Sequence, residues 1–331
     1  MEAGCAARWC IHMNTCVCAI TVSYNPDLEM LRGQLRSISG QCRVIVVDNG
    51  SAGGMEQSLR DLCAEHAAGF LALHDNCGIA QAQNAGVVFA RDRYADCEYL
   101  LFLDHDSVPD AGFVDALLAR YRFLEKDGKT GAVGPAIFEP RAGACYGFHV
   151  IRGLRYLRIL PADMLQDTIE CATINSSGTL CSVAMFDAVG GYDEQLFIDH
   201  VETEWCFRAR QAGYRHYGVR SVMMPHHMGD DVMMFRLPGK TVTMPYRNPL
   251  RHRYLMRNSV LLLKRPYIPR VWKYYCVAKL VLTLVLFGFF TDDSKAQRKS
   301  MLQGLRDGIN GVTGRIPVQE ENTAGQAAGN R

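Results

Sequence analysis

Acidic residues are missing from a long part of this sequence. The chain has 34 Asp and Glu residues among its 331, yet none falls between Val232 and Thr291, a stretch we call the acid-free segment. Lys and Arg recur throughout the segment, with aromatic and aliphatic residues between them. A block of one charge sign predicts an anionic partner such as lipid headgroups or phosphates, with a solvated basic face as the alternative.

Several sequence signatures are also absent. No G-x-G-x-x-G follows an apolar run, which argues against a nicotinamide-dependent dehydrogenase. The stretch SYNPDLE, after the first apolar run, lacks the glycine-rich basic loop expected of a sugar nucleotidyltransferase. The 13 cysteines include no C-x-x-C pair, which favours free thiols in a reducing compartment. Residues 1–10 show no signal-peptide pattern, and we expect a cytoplasmic protein.

Apolar runs alternate with helical patterns over the first third of the chain. Buried strands are predicted at Val17–Tyr24, Arg43–Asp48, Gly69–Leu73 and Tyr99–Asp104. Helices are predicted between them at Leu28–Ser37, Met55–His66 and Gln81–Arg91. This alternation, with continuous apolar strands, predicts an α/β fold whose mostly parallel sheet has helices on both faces. Further strands and a variable loop are expected between residues 131 and 182.

Polar residues gather where each predicted strand ends. The clusters are Tyr24 with Asn25, Asp48 with Asn49, Asn76, and Asp104 with His105 and Asp106. In open α/β sheets, ligands bind beyond the carboxyl ends of the strands. The coincidence therefore predicts a ligand site at this edge of the sheet.

The last of these clusters suits a metal ion. Asp104 and Asp106 directly follow the apolar run YLLFL, so both carboxylates are expected to project into the crevice. Hard oxygen ligands of this kind favour Mg²⁺ or Mn²⁺, which in turn bind diphosphates. His226, which comes later in the sequence, could complete the coordination. The alternative is an ordinary acidic surface loop.

The other clusters suit a nucleotide. Asp48 could pair with a base or ribose, although it could equally cap the following turn. Asn76, Gly78 and Asn84 lie in DNCGIAQAQNAG, where a small residue allows close backbone approach and the amides both donate and accept hydrogen bonds. A plain loop and helix start is the alternative for these three.

A second group of acids lies in FIDHVETEWCFRAR. We predict an amphipathic helix over Asp199–Gln211, which would place Asp199 and Glu202 on one face as candidates for a general base. Glu204 and Arg208, four residues apart, are predicted to form a structural ion pair. The alternative is an acidic first turn that complements the helix dipole.

Taken in order, these motifs resemble a known family. ITVSYNP, VIVVDNGS, NCGIAQAQNAG, FLDHDSVP, the acidic stretch and PHHMGD resemble the family-2 glycosyltransferases of GT-A fold, and within them the bacterial rhamnosyltransferases of polysaccharide synthesis. The resemblance covers residues 15–265, which would form the GT-A domain. Residues 266–318 would form a C-terminal helical extension, and the small, polar residues 319–331 are expected to be disordered.

The resemblance implies an inverting, metal-dependent enzyme that uses dTDP- or UDP-rhamnose. Thr21, Tyr24 and Asn25 would surround the nucleotide, and Asp48 would bind its base. The resemblance also places the metal on Asp104 and Asp106 and a late metal- or phosphate-binding histidine at His226.

One position departs from the family pattern. Family members usually carry a Glu-Asp pair before the acidic helix, and its second acid is the base. The aligned pair here is Val201 and Glu202, so Glu202 takes the base position and Asp199 is the alternative. An inactive binding scaffold of the same fold is the competing function, and the retained acids argue against it.

A membrane partner is predicted for the C-terminal region. Residues 271–290 are about long enough to span a bilayer, but Lys273 and Lys279 fall within them. A helix lying in the interface fits better, with Trp272 and its neighbouring tyrosines at headgroup depth. The acceptor would be a glycan or a polyprenyl-linked glycan at the inner face of the membrane, and no nucleic-acid partner is expected. The alternative is a helix packed on the catalytic domain or in a homodimer interface.

Overall fold

A computed structural model describes residues 13–140, 143–226, 231–237 and 240–317, so the tail predicted at 319–331 lies outside the described residues. The strands are β1 (Asn14–Ser23), β2 (Cys42–Asp48), β3 (Gly69–Ala72), β4 (Tyr99–Asp104), β5 (Thr130–Glu139), β6 (Ala144–Tyr146), β7 (Phe148–Arg152), β8 (Arg155–Ile159), β9 (Thr168–Cys171), β10 (Thr179–Ser182), β11 (Arg215–Pro225), β12 (Asp231–Leu237) and β13 (Lys240–Tyr246). The helices are α1 (Leu28–Ile38), α2 (Met55–Glu65), α3 (Ile79–Arg93), α4 (Phe113–Glu125), α5 (Val183–Val189), α6 (Val201–Gln211), α7 (Pro249–Lys264), α8 (Arg270–Phe289) and α9 (Ser294–Ile309).

The central sheet has the order β3-β2-β1-β4-β10-β5-β11-β9, and β6 pairs with β5. Strands β3, β2, β1 and β4 are mutually parallel, and Ile20 of β1 lies between Ile45 of β2 and Phe102 of β4. Strand β10 is antiparallel to both of its neighbours, and β9 is an antiparallel edge strand. The predicted mostly parallel sheet and its first four strands are thus confirmed.

Both faces of the sheet are buried, and successive side chains of β1 point to opposite faces. Val17 and Ala19 pack into the cluster formed with α1, α2 and α4, whereas Cys18 and Ile20 pack with α3 and α6 on the opposite face. All four side chains are fully buried. The continuous apolar run therefore reflects burial on both sides.

The helix predicted over Asp199–Gln211 begins two residues later than expected. Asp199 and His200 both have a φ of 64°, a left-handed conformation that an α-helix cannot contain, and α6 starts at Val201. The prediction that Asp199 and Glu202 share a helix face is therefore wrong. Asp199 belongs to the loop that leads into the helix.

The acid-free segment folds into the β12–β13 hairpin, α7 and α8. Phe235 of the hairpin packs edge-on against Phe287 of α8, with ring centroids 5.3 Å apart. Gly304 of α9 approaches the backbone of Arg253 in α7 so closely that a Cβ would lie 2.3 Å from its carbonyl oxygen. Trp272, predicted at headgroup depth, is instead buried, so that prediction is wrong for this residue.

Candidate active site

The loops after β1 and β2 are joined by hydrogen bonds. The backbone N–H of Asn25 donates to Ser51 Oγ (2.8 Å), and Asn25 Oδ1 accepts from the N–H of Ala52 (2.8 Å). Ser51 Oγ donates to Asp48 Oδ1 (2.6 Å). Asp48 is buried at the end of β2 and also accepts from the Ser51 N–H (3.2 Å). The predicted base-binding acid is thus held in a fixed orientation by the turn that follows it.

The loop after β3 is attached to the same edge. Asn49 Nδ2 donates to Asn76 Oδ1 (3.2 Å), and Asn49 Oδ1 accepts from the N–H of Cys77 (2.9 Å). Gly78 has a φ of +88°, and a Cβ at this position would lie 2.6 Å from the ring of Phe197. Glycine is required here because the loop passes close to the segment that precedes α6.

The remaining predicted nucleotide residues differ in their exposure. Tyr24 is 45% exposed. Thr21 is fully buried and its hydroxyl bonds to Gln34, so it would act on a nucleotide only indirectly. Asn84 Nδ2 donates to the Tyr192 carbonyl and to Glu194, and its Oδ1 accepts from the Tyr192 N–H. Asn84 therefore links α3 to the chain before α6, and its role in ligand binding stays a prediction.

Gln34 is a site residue that the sequence analysis missed. Its Nε2 donates to the carbonyl oxygens of Asp104 (2.6 Å) and Ser107, and its Oε1 accepts from Thr21. Gln34 is fully buried on the inner face of α1 between Leu31 and Leu35. A glutamine at a core position of an amphipathic helix was the signal available in the sequence.

Asp104, Asp106 and His226 come together although 120 residues separate the last two in sequence. Their ligand atoms all lie within 4.8 Å of one another. His226 Nε2 is 3.6 Å from Asp104 Oδ2, and Nδ1 is 3.3 Å from Asp106 Oδ1. The histidine follows β11, and its N–H donates to the Phe138 carbonyl (3.0 Å), which places it opposite the two acids.

The donor set fits a divalent cation. Asp106 Oδ1 is buried and has no hydrogen-bond partner among the residues that the structure describes. Burial raises the pKa of Asp104, whereas in Asp106 contact with His226 outweighs burial and lowers the pKa. Burial also opposes the charge of His226, yet the two acids raise its pKa. The two acids thus favour a positive charge at this position, which a divalent cation would supply.

Glu202 and Asp199 have opposite electrostatic environments. Glu202, in the first turn of α6, is half-buried, and burial followed by the charges of Asp199 and Asp104 raises its pKa to about 7. Asp199 bonds to Arg251 (3.0 and 3.2 Å) and lies 3.6 Å from Arg247. Burial opposes its charge, but these two arginines hold the pKa of Asp199 far below its usual value. Of the two candidates, only Glu202 is suited to accept a proton near neutral pH.

The segment before α6 has an unusual backbone. Phe197, Asp199 and His200 all have positive φ values between 63° and 64°. Such conformations are unfavourable for residues other than glycine and persist only where surrounding contacts impose them. The strained segment lies directly before Glu202.

Helix α7 supplies those contacts. Asn258 Nδ2 donates to the carbonyl oxygens of Leu196 (2.9 Å), Ile198 (2.7 Å) and Asp199 (2.9 Å). Arg257 Nη2 also donates to the Leu196 carbonyl (3.0 Å). Arg257 and Asn258 are fully buried, so their polar groups need protein partners, and this segment supplies them together with the Gly314 carbonyl, which accepts from Arg257 Nη1. The sequence analysis missed both residues, although two buried polar residues in the apolar run LMRNSVLLL were a visible signal.

The predicted ion pair between Glu204 and Arg208 is confirmed. Arg208 Nη2 lies 2.9 Å from Glu204 Oε2. Glu204 is almost fully buried and also contacts Arg265 (3.1 Å) and Tyr267. This acid is therefore structural.

Comparisons of sequence place the chain among known proteins. Residues 18–170 match the model of a family described as glycosyl transferase family 2. The dTDP-rhamnosyl transferase RfbF of Shigella flexneri is 30% identical over 304 residues, which cover 91% of this chain and 98% of that protein.

Comparisons with solved structures agree with the sequence comparisons. GalNAc-T7, in a structure with UDP, GalNAc and Mn²⁺, matches with a TM-score of 0.54 at 13% identity, over 89% of this chain and 56% of that chain. A fragment of S. aureus TarS in complex with UDP-GlcNAc matches with a TM-score of 0.51 at 14% identity, over 89% of this chain and 81% of that chain. At such identities the likeness shows the fold alone, and it confirms the predicted GT-A-type architecture.

Proposed function

The chain belongs to the rhamnosyltransferase subgroup of glycosyl transferase family 2, and from this premise we propose that it transfers L-rhamnose from a nucleotide diphosphate to a glycan acceptor, with inversion at the anomeric carbon. The name of the Shigella relative supports rhamnose as the sugar and favours dTDP over UDP as the nucleotide. The loops that carry Tyr24, Asn25, Asp48 and Asn76 would bind that nucleotide.

One observation carries the catalytic part of the proposal. A carboxylate with a pKa of about 7, Glu202, lies within the electrostatic field of Asp104, which belongs to the Asp104–Asp106–His226 cluster. A proton acceptor beside a candidate cation site is the arrangement that displacement of a diphosphate by a hydroxyl requires.

The reaction follows from this arrangement. Asp104, Asp106 and His226 would hold Mg²⁺ or Mn²⁺, which when bound offsets negative charge on the departing diphosphate. Glu202 accepts the proton of the acceptor hydroxyl while that oxygen bonds to the anomeric carbon and the bond from this carbon to the diphosphate breaks. Attack from the face opposite the leaving group inverts the anomeric configuration.

We also propose peripheral attachment to the inner face of the cell membrane. Helix α8 is long and apolar enough to cross a bilayer, with a mean hydropathy of 1.5, but one of its faces is packed on protein. Its other face exposes Val281 (58%) and Phe289 (61%). An apolar face beside basic residues is typical of a helix that lies in the interface. The 11 described cysteines are all free, which agrees with a reducing compartment.

A donor screen tests the proposed activity. Purified full-length protein with Mg²⁺ or Mn²⁺ is incubated with a set of sugar nucleotides, and release of the nucleotide is measured. We expect release from dTDP-rhamnose to exceed release from UDP-GlcNAc. No release from any donor, with or without acceptor glycans, would instead support an inactive scaffold protein.

A further inference from the structure

The chain turns back after α9 and returns to α7. Residues 311–317 form no regular secondary structure, and we call them the return segment. Ile316 is the one fully buried residue of this segment, whereas Val312, Arg315 and Pro317 are exposed. An apolar side chain that is buried among exposed neighbours indicates that the segment is attached to the protein at this point.

Backbone hydrogen bonds of Gly314 attach the return segment to the chain that precedes Phe197. The N–H of Gly314 donates to the Gln195 carbonyl (2.6 Å). The Gly314 carbonyl accepts from Arg257 Nη1 (2.6 Å), and Nη2 of the same arginine donates to the Leu196 carbonyl (3.0 Å). Gly314 has a φ of 72°, a conformation that favours glycine. The buried guanidinium therefore joins the return segment to the start of the strained loop before α6.

Ile316 completes a small apolar cluster around Phe197. The N–H of Ile316 donates to the hydroxyl of Tyr254 (2.7 Å), and its side chain forms one buried cluster with the rings of Tyr254 and Phe197. The two rings stack at an interplanar angle of 13°, with centroids 5.0 Å apart. Ile316 therefore helps to fix the ring of Phe197 against α7.

Phe197 lies at the centre of a strained turn. Its φ is 63° and its ψ is −61°, and the N–H of Ile198 donates to the Leu196 carbonyl (2.7 Å). These values define the γ-turn of positive φ, which is rare and strained. Such a backbone persists only where surrounding contacts impose it. The contacts of the Phe197 ring with Tyr254 and Ile316 are therefore part of what holds the turn.

The turn leads directly to the proposed general base. Glu202 follows Phe197 by five residues and lies in the first turn of α6. On its other side, the Phe197 carbonyl accepts from the N–H of Ile79 (2.8 Å), the first residue of α3. The loop before Ile79 has its own hydrogen bonds to Asn49. A displacement of Phe197 should therefore move Glu202 more than the loop expected to bind the nucleotide.

We propose that Ile316 is a positioning residue, which fixes the γ-turn at Phe197 and thereby holds the carboxylate of Glu202 in place for proton transfer. The proposal rests on the function proposed above and adds a segment that its general base requires. Ile316 acts through Phe197 and does not contact the substrates. A displacement of a reacting group by about 1 Å can cost about 100-fold in rate, so such a contact matters although it lies outside the reacting centre.

Hydrogen exchange without substrates tests whether Ile316 holds the turn. Full-length wild type is compared with Ile316→Ala and with Val312→Ala, a control at an exposed position of the same segment. Amide hydrogens of residues 194–202 should exchange at least about tenfold faster in Ile316→Ala, while those of β1 and all those of Val312→Ala should exchange as in the wild type. If Ile316→Ala does not fold, Ile316→Val should show a smaller change in the same direction. Unchanged exchange at residues 194–202 would overturn the proposal.

Rates of rhamnosyl transfer test whether the turn positions the base. Ile316→Ala should lower kcat about 10–100-fold and change the donor KM by less than about threefold. In a Glu202→Gln background, the same substitution should lower the residual rate by less than about twofold, because no base is left to position. A chain that ends at Pro317 should keep its full rate, and one that ends at Val312 should behave like Ile316→Ala.

Two results of these rate measurements would overturn the proposal. Equal losses of rate with and without the Glu202 carboxylate would mean that Ile316 only stabilises the fold. Full activity of the chain that ends at Val312 would mean that the return segment is dispensable. Because exchange is measured without donor, it tests the return segment even if the donor screen finds no activity, and the two proposals can fail separately.

Discussion

Arg251 of α7 forms a two-pronged ion pair with Asp199, with Nε 3.0 Å from Oδ2 and Nη2 3.2 Å from Oδ1. The pair fixes Asp199 as an anion whose lone pairs are directed to the arginine. Glu202, three residues further on, has no ion-pair partner in the part of the chain that the structure describes. This contrast supports the proposal that Asp199 holds the loop and Glu202 accepts the proton.

Exchange of each acid for its amide should separate these roles. Glu202→Gln should lower kcat by about 10²–10⁴-fold, the range for loss of a general base, with donor affinity unchanged. Asp199→Asn should lower the free energy of unfolding by about 1–2 kcal/mol because Arg251 and Arg247, which are both partly exposed, lose their charged partner. Steady-state kinetics and thermal melting of both variants measure this difference. A larger loss of kcat in a fully stable Asp199→Asn protein would reverse the assignment.

The pH dependence of transfer should report Glu202. Burial raises its pKa to about 7, so the carboxylate is protonated and inactive at lower pH and becomes active as pH rises through that value. At saturating metal, log kcat should rise with a slope near one below pH 7 and level off above it. Asp199→Asn should keep this rise but shift it to lower pH, because the charge of Asp199 contributes to the raised pKa of Glu202, and Glu202→Gln should lose the rise. A midpoint near the ordinary value of 4.5 would contradict the assignment.

Gln34 should affect the affinity for the metal ion without being one of its ligands. Gln34→Leu removes the donors that hold the carbonyl groups of Asp104 and Ser107. We expect Mn²⁺ affinity, measured by calorimetry, to fall about 10–100-fold, as is typical when the partners of metal ligands are lost. Gln57→Leu, on the exposed surface of α2, is the matched control and should bind Mn²⁺ normally. Unchanged affinity in a folded Gln34→Leu protein would show that the acids are positioned by other contacts.

The sequence predicts the strand edge and its acids well because those features are local. The continuous apolar run predicts the strand, and the position of Asp104 and Asp106 directly after it predicts that their carboxylates project from the end of that strand. The late His226 could be assigned only through the order of motifs in the family that the chain resembles. The structure places His226 Nε2 3.6 Å from Asp104 Oδ2.

The sequence does not reveal the contacts that hold the loop before Glu202, the proposed general base. Asp199 looks helical from its spacing, but Asn258 and Arg251, more than fifty residues away, hold it in a left-handed loop. Trp272 looks like a membrane anchor, but its ring packs edge-on against Phe207, with centroids 5.6 Å apart. In each case a distant tertiary contact overrides the local pattern.

Membrane attachment should depend on both charge and α8. In a flotation assay with anionic liposomes, we expect the protein to bind at low salt and to dissociate at high salt, because screening weakens the attraction of its basic residues. Val281→Glu should weaken binding by placing a charge on the exposed apolar face of α8, and Ser58→Glu, which adds the same charge to the exposed surface of α2, serves as the control. Binding that survives high salt and alkaline carbonate would mean that α8 spans the bilayer. No binding at low salt would favour packing of this face on protein.

Rhamnosyl transfer in the presence and absence of metal tests the central claim most directly. Wild-type protein and Asp106→Asn are incubated with dTDP-rhamnose and a lipid-linked glycan, in Mn²⁺ or in EDTA, and the anomeric configuration of the product is read by NMR. Asp110→Asn, an exposed acid nearby, is the control. We predict an inverted product from the wild type and the control in Mn²⁺ alone, and none from Asp106→Asn. A product with retained configuration, or full activity of Asp106→Asn in EDTA, would contradict the account.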